Sequence, residues 1–220
     1  MTLDLFAPQP QANVLPFDGV VEDYGLILDQ EQSQQYLQHF LSQLAWQHDE
    51  VHLFGKHHVT GRQVVWYGDE HYQYRYSGTL KQAQVWTPGL FRLKQHIEIL
   101  VGHPFNSCLA NLYEDGSQGL GWHSDDEPAL YTGTSRENVI ASLSLGATRK
   151  MSFKHKTHNE KVDVLLHSGQ LIVMRGATQQ HWKHSISKTS KVLTPRINLT
   201  FRYSQIIIKL IQWCNELFRT

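Results

Sequence analysis

Several features are scarce in this 220-residue sequence, and their scarcity excludes whole classes of protein. Cysteine occurs only at Cys108 and Cys214, so the sequence holds neither a disulfide framework nor a CxxC zinc motif. Such cysteine use is typical of a reducing compartment, and we expect the cytoplasm, or the nucleus in a eukaryotic cell. The apolar tail at 206–213 contains Lys209 and is far shorter than the roughly 20 residues of a membrane span. We therefore expect no membrane partner.

The sequence also lacks an excess of charge of either sign. Lysine and arginine together number 20, as do aspartate and glutamate, so the net charge identifies no partner. A local basic surface is still compatible with that balance. The length suits one domain with a full hydrophobic core, and nothing indicates a partner protein, so we expect a monomer. With 14 histidines in the chain, a single histidine is a weak indication of a site.

Periodic patterns place helices in the first half of the chain. The apolar spacing over 31–46 predicts a helix, and Asp29 and Gln32 form a capping box at its start. A second helix is predicted to begin after Thr87 and to stop at Gly102. Before the first helix, three prolines within residues 1–28 indicate an irregular arm. Between the helices, 51–79 is predicted to form short strands or hairpins.

After residue 105 the pattern changes to short β-type runs separated by glycines and charged loops. The candidate strands are 107–113, 139–146, 150–155, 162–167, 170–175 and 196–203. Two helices followed by many short strands predict an α+β fold, an antiparallel sandwich or barrel buttressed by N-terminal helices.

The segment 121-GWHSDDEPAL-130 combines one histidine with three acidic residues. On an extended chain His123 and Asp125 share a face, which gives two ligands for a divalent metal, although a capped turn would explain the same pair. A second histidine would complete the facial triad of non-haem Fe(II) oxygenases. His181 and His184 are the candidates. Three residues apart on a strand, they point to opposite faces, and the spacing alone leaves the choice open.

The strand predicted at 196–202 has one polar face and one apolar face. The polar residues are Arg196, Asn198, Thr200 and Arg202. Two arginines are costly to bury without an anion, and together they suit bidentate binding of a dicarboxylate. A half-exposed strand with a solvated face is the alternative. Asn111 and Tyr113 also share a face and could add hydrogen bonds to the same ligand.

A metal triad beside an anion clamp indicates one chemistry. An iron oxygenase needs two more electrons than its substrate supplies, and oxidative decarboxylation of bound 2-oxoglutarate can provide them. The sequence therefore predicts Fe(II) as the metal, with 2-oxoglutarate and O2 as co-substrates.

These motifs resemble those of the AlkB-like Fe(II)/2-oxoglutarate dioxygenases, and most of all the branch that repairs alkylated bases in double-stranded DNA. The motifs occur in the order and spacing of the family from about residue 51 to 203. They are 53-LFGKHH-58, 67-YGDE-70, 74-YRYSG-78, 111-NLYEDG-116, 121-GWHSDDE-127, 140-IASLSLGATRKMSFKHK-156, 181-HWKHS-185 and 191-KVLTPRINLTFR-202. The resemblance implies a double-stranded β-helix, or jelly roll.

For the metal and the co-substrate, the resemblance implies a specific set of residues. Iron would be held by His123, Asp125 and His184, which leaves His181 a supporting part. Arg202 would pair with the distal carboxylate of 2-oxoglutarate. The rest of the co-substrate pocket would comprise Arg196, Asn111, Tyr113, Asn198 and Thr200.

On the substrate side, the resemblance implies that a base leaves the duplex stack before it reaches the iron. Phe54, beside Gly55, would fill the vacated space, although core packing is the alternative for this side chain. Tyr76 would stack on the extruded base, and Tyr74 lies two residues earlier. Lys56 and Arg62 would contact phosphates, as would Lys154 and Lys156, although ordinary surface lysines are the alternative.

Two further acids, Asp126 and Glu127, would face the extruded base. A carboxylate there favours a cationic lesion such as 1-methyladenine or 3-methylcytosine over a neutral base, although loop solvation would also explain these acids.

We therefore expect a single domain over 1–220 that repairs alkylation damage by oxidative demethylation. Residues 1–50 would form the arm and helix, 51–80 the nucleotide-recognition lid and 105–203 the jelly-roll core. The partner would be alkylated duplex DNA, with single-stranded DNA or RNA as alternatives. A protein substrate of the same chemistry, or a non-catalytic reader of alkylated nucleic acid, are the other hypotheses.

Overall fold

The computed structural model describes residues 11–53, 56–71, 73–76, 79–125 and 138–203. The helices are α1 (Gln30–Gln43), α2 (Pro88–Val101) and α3 (Thr178–His181). The strands are β1 (Val20–Leu26), β2 (Gln47–Leu53), β3 (Lys56–Gly68), β4 (Gln73–Tyr76), β5 (Thr79–Gln82), β6 (Gln84–Val85), β7 (Ser107–Tyr113), β8 (Leu120–His123), β9 (Ile140–Gly146), β10 (Arg149–His155), β11 (Lys161–Leu166), β12 (Gln170–Arg175), β13 (Trp182–Ile186) and β14 (Arg196–Arg202).

Two antiparallel sheets form the body of the fold. The large sheet has the order β1-β12-β9-β14-β7-β3-β2, with β6 paired to β3, and the small sheet has the order β11-β10-β13-β8. A separate hairpin joins β4 and β5. Most neighbours in the two sheets are distant in sequence, as a double-stranded β-helix requires, and among the described strands only β2–β3 and β10–β11 join consecutive strands, so the predicted jelly roll with its helices is confirmed.

The two faces of the large sheet bury different partners. Leu199 and the other apolar residues of β14 belong to one buried cluster with Phe40 of α1 and Ile97 of α2. On the opposite face, Ile172 of β12 packs with Phe153 of the small sheet. The polar alternate residues of β14 therefore face the small sheet, which is where a site can form.

Both predicted long helices are present, and their ends show the expected caps. The Asp29 carboxylate accepts the Gln32 backbone N–H at 2.8 Å, and the Gln32 side chain accepts the Asp29 N–H at 3.1 Å. Thr87 caps α2, and Gly102 ends it with φ 66° in the left-handed region that favours glycine. Among the described residues, no helix is long and apolar enough to cross a membrane.

The irregular arm predicted within residues 1–28 was wrong, whereas the short strands or hairpins predicted over 51–79 are present as the hairpins β2–β3 and β4–β5, apart from the length of β3. Within the predicted irregular arm, β1 pairs along β12, and Arg175 of β12 donates to Glu22 at 2.8 Å. In the region predicted as short strands, β3 runs for 13 residues straight through Gly61. Pairing with β2 and β7 extends this strand beyond what a local turn residue would suggest.

The registers of β14 and β13 position the predicted site. Arg196 lies opposite Tyr113 and Asn198 opposite Asn111 in the large sheet. In the small sheet, His184 lies opposite His123. The sheets thus pair site residues that are 61 to 87 positions apart, from His123 and His184 to Asn111 and Asn198.

The capping box of α1 gives a direct test of the local structure. Asp29→Ala removes the acceptor for the Gln32 N–H, and we expect it to lower the free energy of unfolding by about 1 kcal/mol. Asp29→Ser keeps an acceptor and should lose much less. Urea unfolding of the three proteins measures the difference, and equal stability of the alanine and serine variants would contradict the assignment.

Candidate functional site

Three predicted metal ligands meet between the two sheets. One ligand atom from each of His123, Asp125 and His184 lies within 4.8 Å of the other two. The imidazole centroids of His123 and His184 are 4.2 Å apart, and Asp125 Oδ2 is 3.6 Å from His184 Nε2. His123 ends β8 and His184 lies in β13, so the pairing of these strands fixes both histidines.

The donor atoms of this triad are in the forms that a metal ion requires. Nδ1 of His123 lies 2.8 Å from the Gly121 carbonyl, which can only accept, so Nδ1 carries the proton and Nε2 keeps its lone pair. Burial lowers the pKa of His184 to about 4, so its imidazole is neutral at pH 7. Two imidazoles and one carboxylate fit Fe(II).

The Asp125 carboxylate is held in its ionised form. Burial by itself raises its pKa, but the positive charge of Arg202 and its hydrogen bond act against burial, and the pKa lies below its usual value. Because His184 is neutral, the 3.6 Å approach between Asp125 and His184 is not an ion pair. The close approach of these two side chains is better explained if both are ligands of the same metal ion.

His181 does not reach this triad. It ends α3 and does not lie on a strand, and its ring stacks on His155 with centroids 6.0 Å apart. The structure therefore brings His184 to the triad and leaves His181 a structural part. The strand expected to carry both histidines begins one residue later, at Trp182.

A second group of possible ligands, Asp18, His155 and His181, has ligand atoms within 4.8 Å of one another. Nδ1 of His155 accepts the backbone N–H groups of His158 at 3.0 Å and Thr157 at 3.3 Å. The neutral imidazole must therefore carry its proton on Nε2, which faces the Asp18 carboxylate at 3.4 Å. A protonated nitrogen cannot bind a metal, so this group is a contact between the N-terminal turn and β10.

Arg196 forms a fully buried positive site. Its side chain is 1% exposed, and its Nη2 donates to the Ser144 hydroxyl at 2.9 Å. Nε and Nη1 are buried and find no hydrogen-bond partner among the described residues. Burial lowers its pKa to about 10, so the guanidinium stays charged at pH 7. Two unsatisfied donors on a buried cation fit a carboxylate ligand.

Arg202 occupies the metal end of the site. Its Nη2 lies 2.8 Å from Asp125 Oδ1, in direct contact with a metal ligand. The distal carboxylate of 2-oxoglutarate is by definition the one away from the metal, so the predicted pairing with Arg202 disagrees with the geometry. Arg196 lies six residues away, at the other end of β14. The alternation of polar and apolar residues along β14 predicts that both arginines lie on one face. It does not predict which of them lies nearer the metal ligands.

Polar side chains of β14 and β9 lie between the two arginines, and we call this group the polar floor. Nδ2 of Asn198 donates to the Ser142 hydroxyl at 2.8 Å, and the Thr200 hydroxyl donates to Asn198 Oδ1 at 3.0 Å. Ser142 and Ser144 were not predicted as site residues, although they alternate with apolar residues in 141-ASLSL-145. That alternation is the same pattern that identified β14, and it could have revealed them.

Arg62 belongs to this floor and not to an exposed phosphate-binding surface. Its guanidinium donates to Asn111 Oδ1 at 2.9 Å and to Asp49 at 2.6 Å, and its side chain is 11% exposed. The predicted phosphate contact disagrees with this placement. The physical reason is the pairing of β2 with β3, which brings Asp49 close to Arg62. No local sequence pattern predicts this pairing.

Much of the predicted substrate side lies outside the described residues. This holds for Phe54, Gly55, Asp126 and Glu127, and for the side chains of Lys56, Tyr74 and Tyr76. Their roles stay predictions.

Comparisons with known proteins agree with this geometry. The model of the "2OG-Fe(II) oxygenase superfamily" matches residues 24–202. The chain is 34% identical over 208 residues to the mouse protein "DNA oxidative demethylase ALKBH2", covering 88% of this chain and 84% of that protein. It is 43% identical over 150 residues to bovine "Alpha-ketoglutarate-dependent dioxygenase alkB homolog 3", covering 64% of this chain and 51% of that protein.

The human "DNA oxidative demethylase ALKBH2" is 39% identical over 160 residues, which cover 69% of this chain and 60% of that protein. The chain thus spans about half to three fifths of these bovine and human relatives. The solved "structure of OsALKBH1" superimposes with a TM-score of 0.53 at 16% identity, covering 86% of this chain and 99% of that one, which shows the fold. The chain belongs to the 2OG-Fe(II) oxygenase superfamily and, within it, to the AlkB-like dioxygenases.

Proposed function

We propose that this protein oxidatively demethylates N-alkylated bases in DNA, of the 1-methyladenine and 3-methylcytosine type. The observation that carries the proposal is the pairing of two features across the sheets. These are a histidine–carboxylate triad in metal-binding form and a buried Arg196 with two unsatisfied donors. The similarity to proteins named DNA oxidative demethylase supports DNA as the substrate class.

In this account, His123, Asp125 and His184 hold the iron, and the pocket beside them holds 2-oxoglutarate. Bound together, iron and 2-oxoglutarate supply the two-electron oxidation that places one oxygen atom of O2 in a C–H bond of the N-methyl group. The hydroxymethyl product breaks its C–N bond, so that formaldehyde leaves, the hydroxyl proton is released and the ring nitrogen regains its lone pair. The other oxygen atom ends in succinate, and carbon dioxide is released.

The two arginines divide the binding of the co-substrate. Arg196 offers Nε and Nη1 to the distal carboxylate, and the Ser144 hydroxyl holds the third side of the guanidinium. Arg202 keeps Asp125 ionised and oriented at the metal end. Because Arg196 is fully buried, it selects a ligand whose length brings a negative charge to that depth.

The substrate side rests on the sequence. A carboxylate from Asp126 or Glu127 would favour a cationic alkylated base, and Tyr76 would stack on it. Phe54 as a wedge supports a duplex substrate, because an extruded base leaves a gap that only a duplex has. We propose duplex DNA as the preferred form and a monomer as the active species.

The direct test is mass spectrometry of matched oligonucleotides that carry 1-methyladenine or 3-methylcytosine. With Fe(II), 2-oxoglutarate and O2 together we expect the loss of one CH2 group, fastest on duplex DNA and absent when any one is omitted. Phe54→Ala should slow the duplex reaction more than the single-strand reaction. Decarboxylation of 2-oxoglutarate without change in any oligonucleotide would reject the nucleic-acid substrate, and binding without any turnover would favour a reader.

If Arg196 binds 2-oxoglutarate and Arg202 orients Asp125, conservative substitutions of the two arginines should have different effects. Arg196→Lys cannot donate in bidentate fashion, so we expect 2-oxoglutarate affinity to fall by about tenfold to a hundredfold, or roughly 1.4–2.8 kcal/mol. Its Co(II) affinity should stay unchanged. Arg202→Lys weakens the contact with Asp125. We therefore expect it to lower Co(II) affinity in addition to 2-oxoglutarate affinity.

Calorimetric titration of both ligands into both variants measures this difference. A larger loss of 2-oxoglutarate binding in Arg202→Lys than in Arg196→Lys would reverse the assignment and restore the prediction from sequence.

A further inference from the structure

The metal ligand Asp125 lies two residues beyond the end of β8, where no strand pairing fixes its backbone. Three side chains hold this segment instead. The Ser124 hydroxyl donates to the Trp182 carbonyl at 3.0 Å, and Nδ2 of Asn138 donates to the Asp125 carbonyl at 3.0 Å. The Asp125 N–H donates to Oε1 of Gln179 at 2.9 Å. The position of the carboxylate therefore depends on side chains from other parts of the chain.

The amide of Gln179 is oriented by its bond to Asp125. The side chain is 2% exposed, and its Nε2 faces the sulfur of Met174 at 3.2 Å. A reversed amide would set an NH2 group against the Asp125 N–H, two donors face to face, so the orientation is fixed. A thioether is a weak acceptor, and a buried amide with poorly satisfied donors is costly. The favourable contribution of Gln179 therefore lies at its acceptor oxygen.

Gln179 also connects two of the metal ligands through one short segment. It lies in α3, which leads directly into β13 and His184. The Gln179 carbonyl in turn accepts Nζ of Lys156 at 2.8 Å, which ties α3 to the end of β10. The short segment from Gln179 to His184 thus places His184 in the site and holds the backbone of Asp125.

We propose that Gln179 is a positioning residue that sets the Asp125 carboxylate in the metal triad. It does not contact the metal or the substrate, and it acts through the backbone N–H of Asp125. This inference rests on the metal triad proposed above. It adds a residue that lies outside the HxD and histidine motifs and that an inspection of metal ligands alone would miss.

Gln179→Leu tests the proposal, because it keeps the volume and removes the acceptor. The Asp125 N–H then lacks its partner, and we expect the Co(II) dissociation constant of the metal-free chain to rise by about tenfold to a hundredfold. Co(II) absorption gives the constant without any turnover. Thermal unfolding of the metal-free protein, measured in parallel, reports what the substitution does to packing alone.

Two control variants separate positioning from packing. Gln179→Glu keeps an oxygen acceptor, and should bind Co(II) nearly as the wild type does. Met174→Leu changes only the partner of the other end of the amide, and should leave Co(II) affinity unchanged even if it lowers thermal stability. If Gln179→Leu does not fold, Gln179→Asn replaces it: this amide is one methylene shorter, cannot reach Asp125, and should weaken Co(II) binding in the same way.

Co(II) affinity equal to wild type in a less stable Gln179→Leu protein would assign Gln179 to packing and overturn the proposal. Failure of the wild-type chain to bind Co(II), or binding that survives His184→Ala, would overturn the triad itself and this inference with it. Failure of this inference is distinguishable from failure of the proposed DNA demethylation, because the Co(II) measurements do not involve DNA.

Discussion

The burial of the Arg196 guanidinium is the interaction on which the rest of this site depends. A cation that is 1% exposed, with two donors left without partners among the described residues, is costly unless an anion reaches it. The fold maintains it by placing β14 at the centre of the large sheet, between β7 and β9, where the backbone is bonded on both sides. The two donors without partners and the strand bonded on both sides support the proposal that a carboxylate binds at this depth.

Asp125 connects this pocket to the metal triad. Its carboxylate contacts Arg202 of the large sheet and lies close to His184 of the small sheet, so one charged group joins the two sheets. Its ionised state depends on Arg202 and its backbone position on Gln179. The metal triad and the proposed co-substrate pocket are therefore linked through Asp125 and Arg202, and binding of one ligand should strengthen binding of the other.

The parts of the site that sequence predicted are those with local patterns. The HxD spacing gave His123 and Asp125, and the strict alternation of β14 gave the two arginines, since a strand repeats every two residues. What sequence could not supply depends on pairing between distant strands. The order of the arginines relative to the metal and the burial of Arg62 against Asp49 both follow from sheet register. For the same reason, the prolines before the first helix predict an irregular arm where the structure has β1, since the pairing of β1 with β12 spans most of the chain.

The central claim is that the metal triad and the Arg196 pocket form a single site, and metal-dependent binding of 2-oxoglutarate tests it most directly. Isothermal titration without O2 would compare 2-oxoglutarate binding to the metal-free chain and to the Co(II)-loaded chain. One shared site predicts clearly tighter binding to the loaded chain, and by reciprocity tighter Co(II) binding in the presence of 2-oxoglutarate. Equal affinity with and without Co(II) would mean that the two features are separate, and would contradict the account.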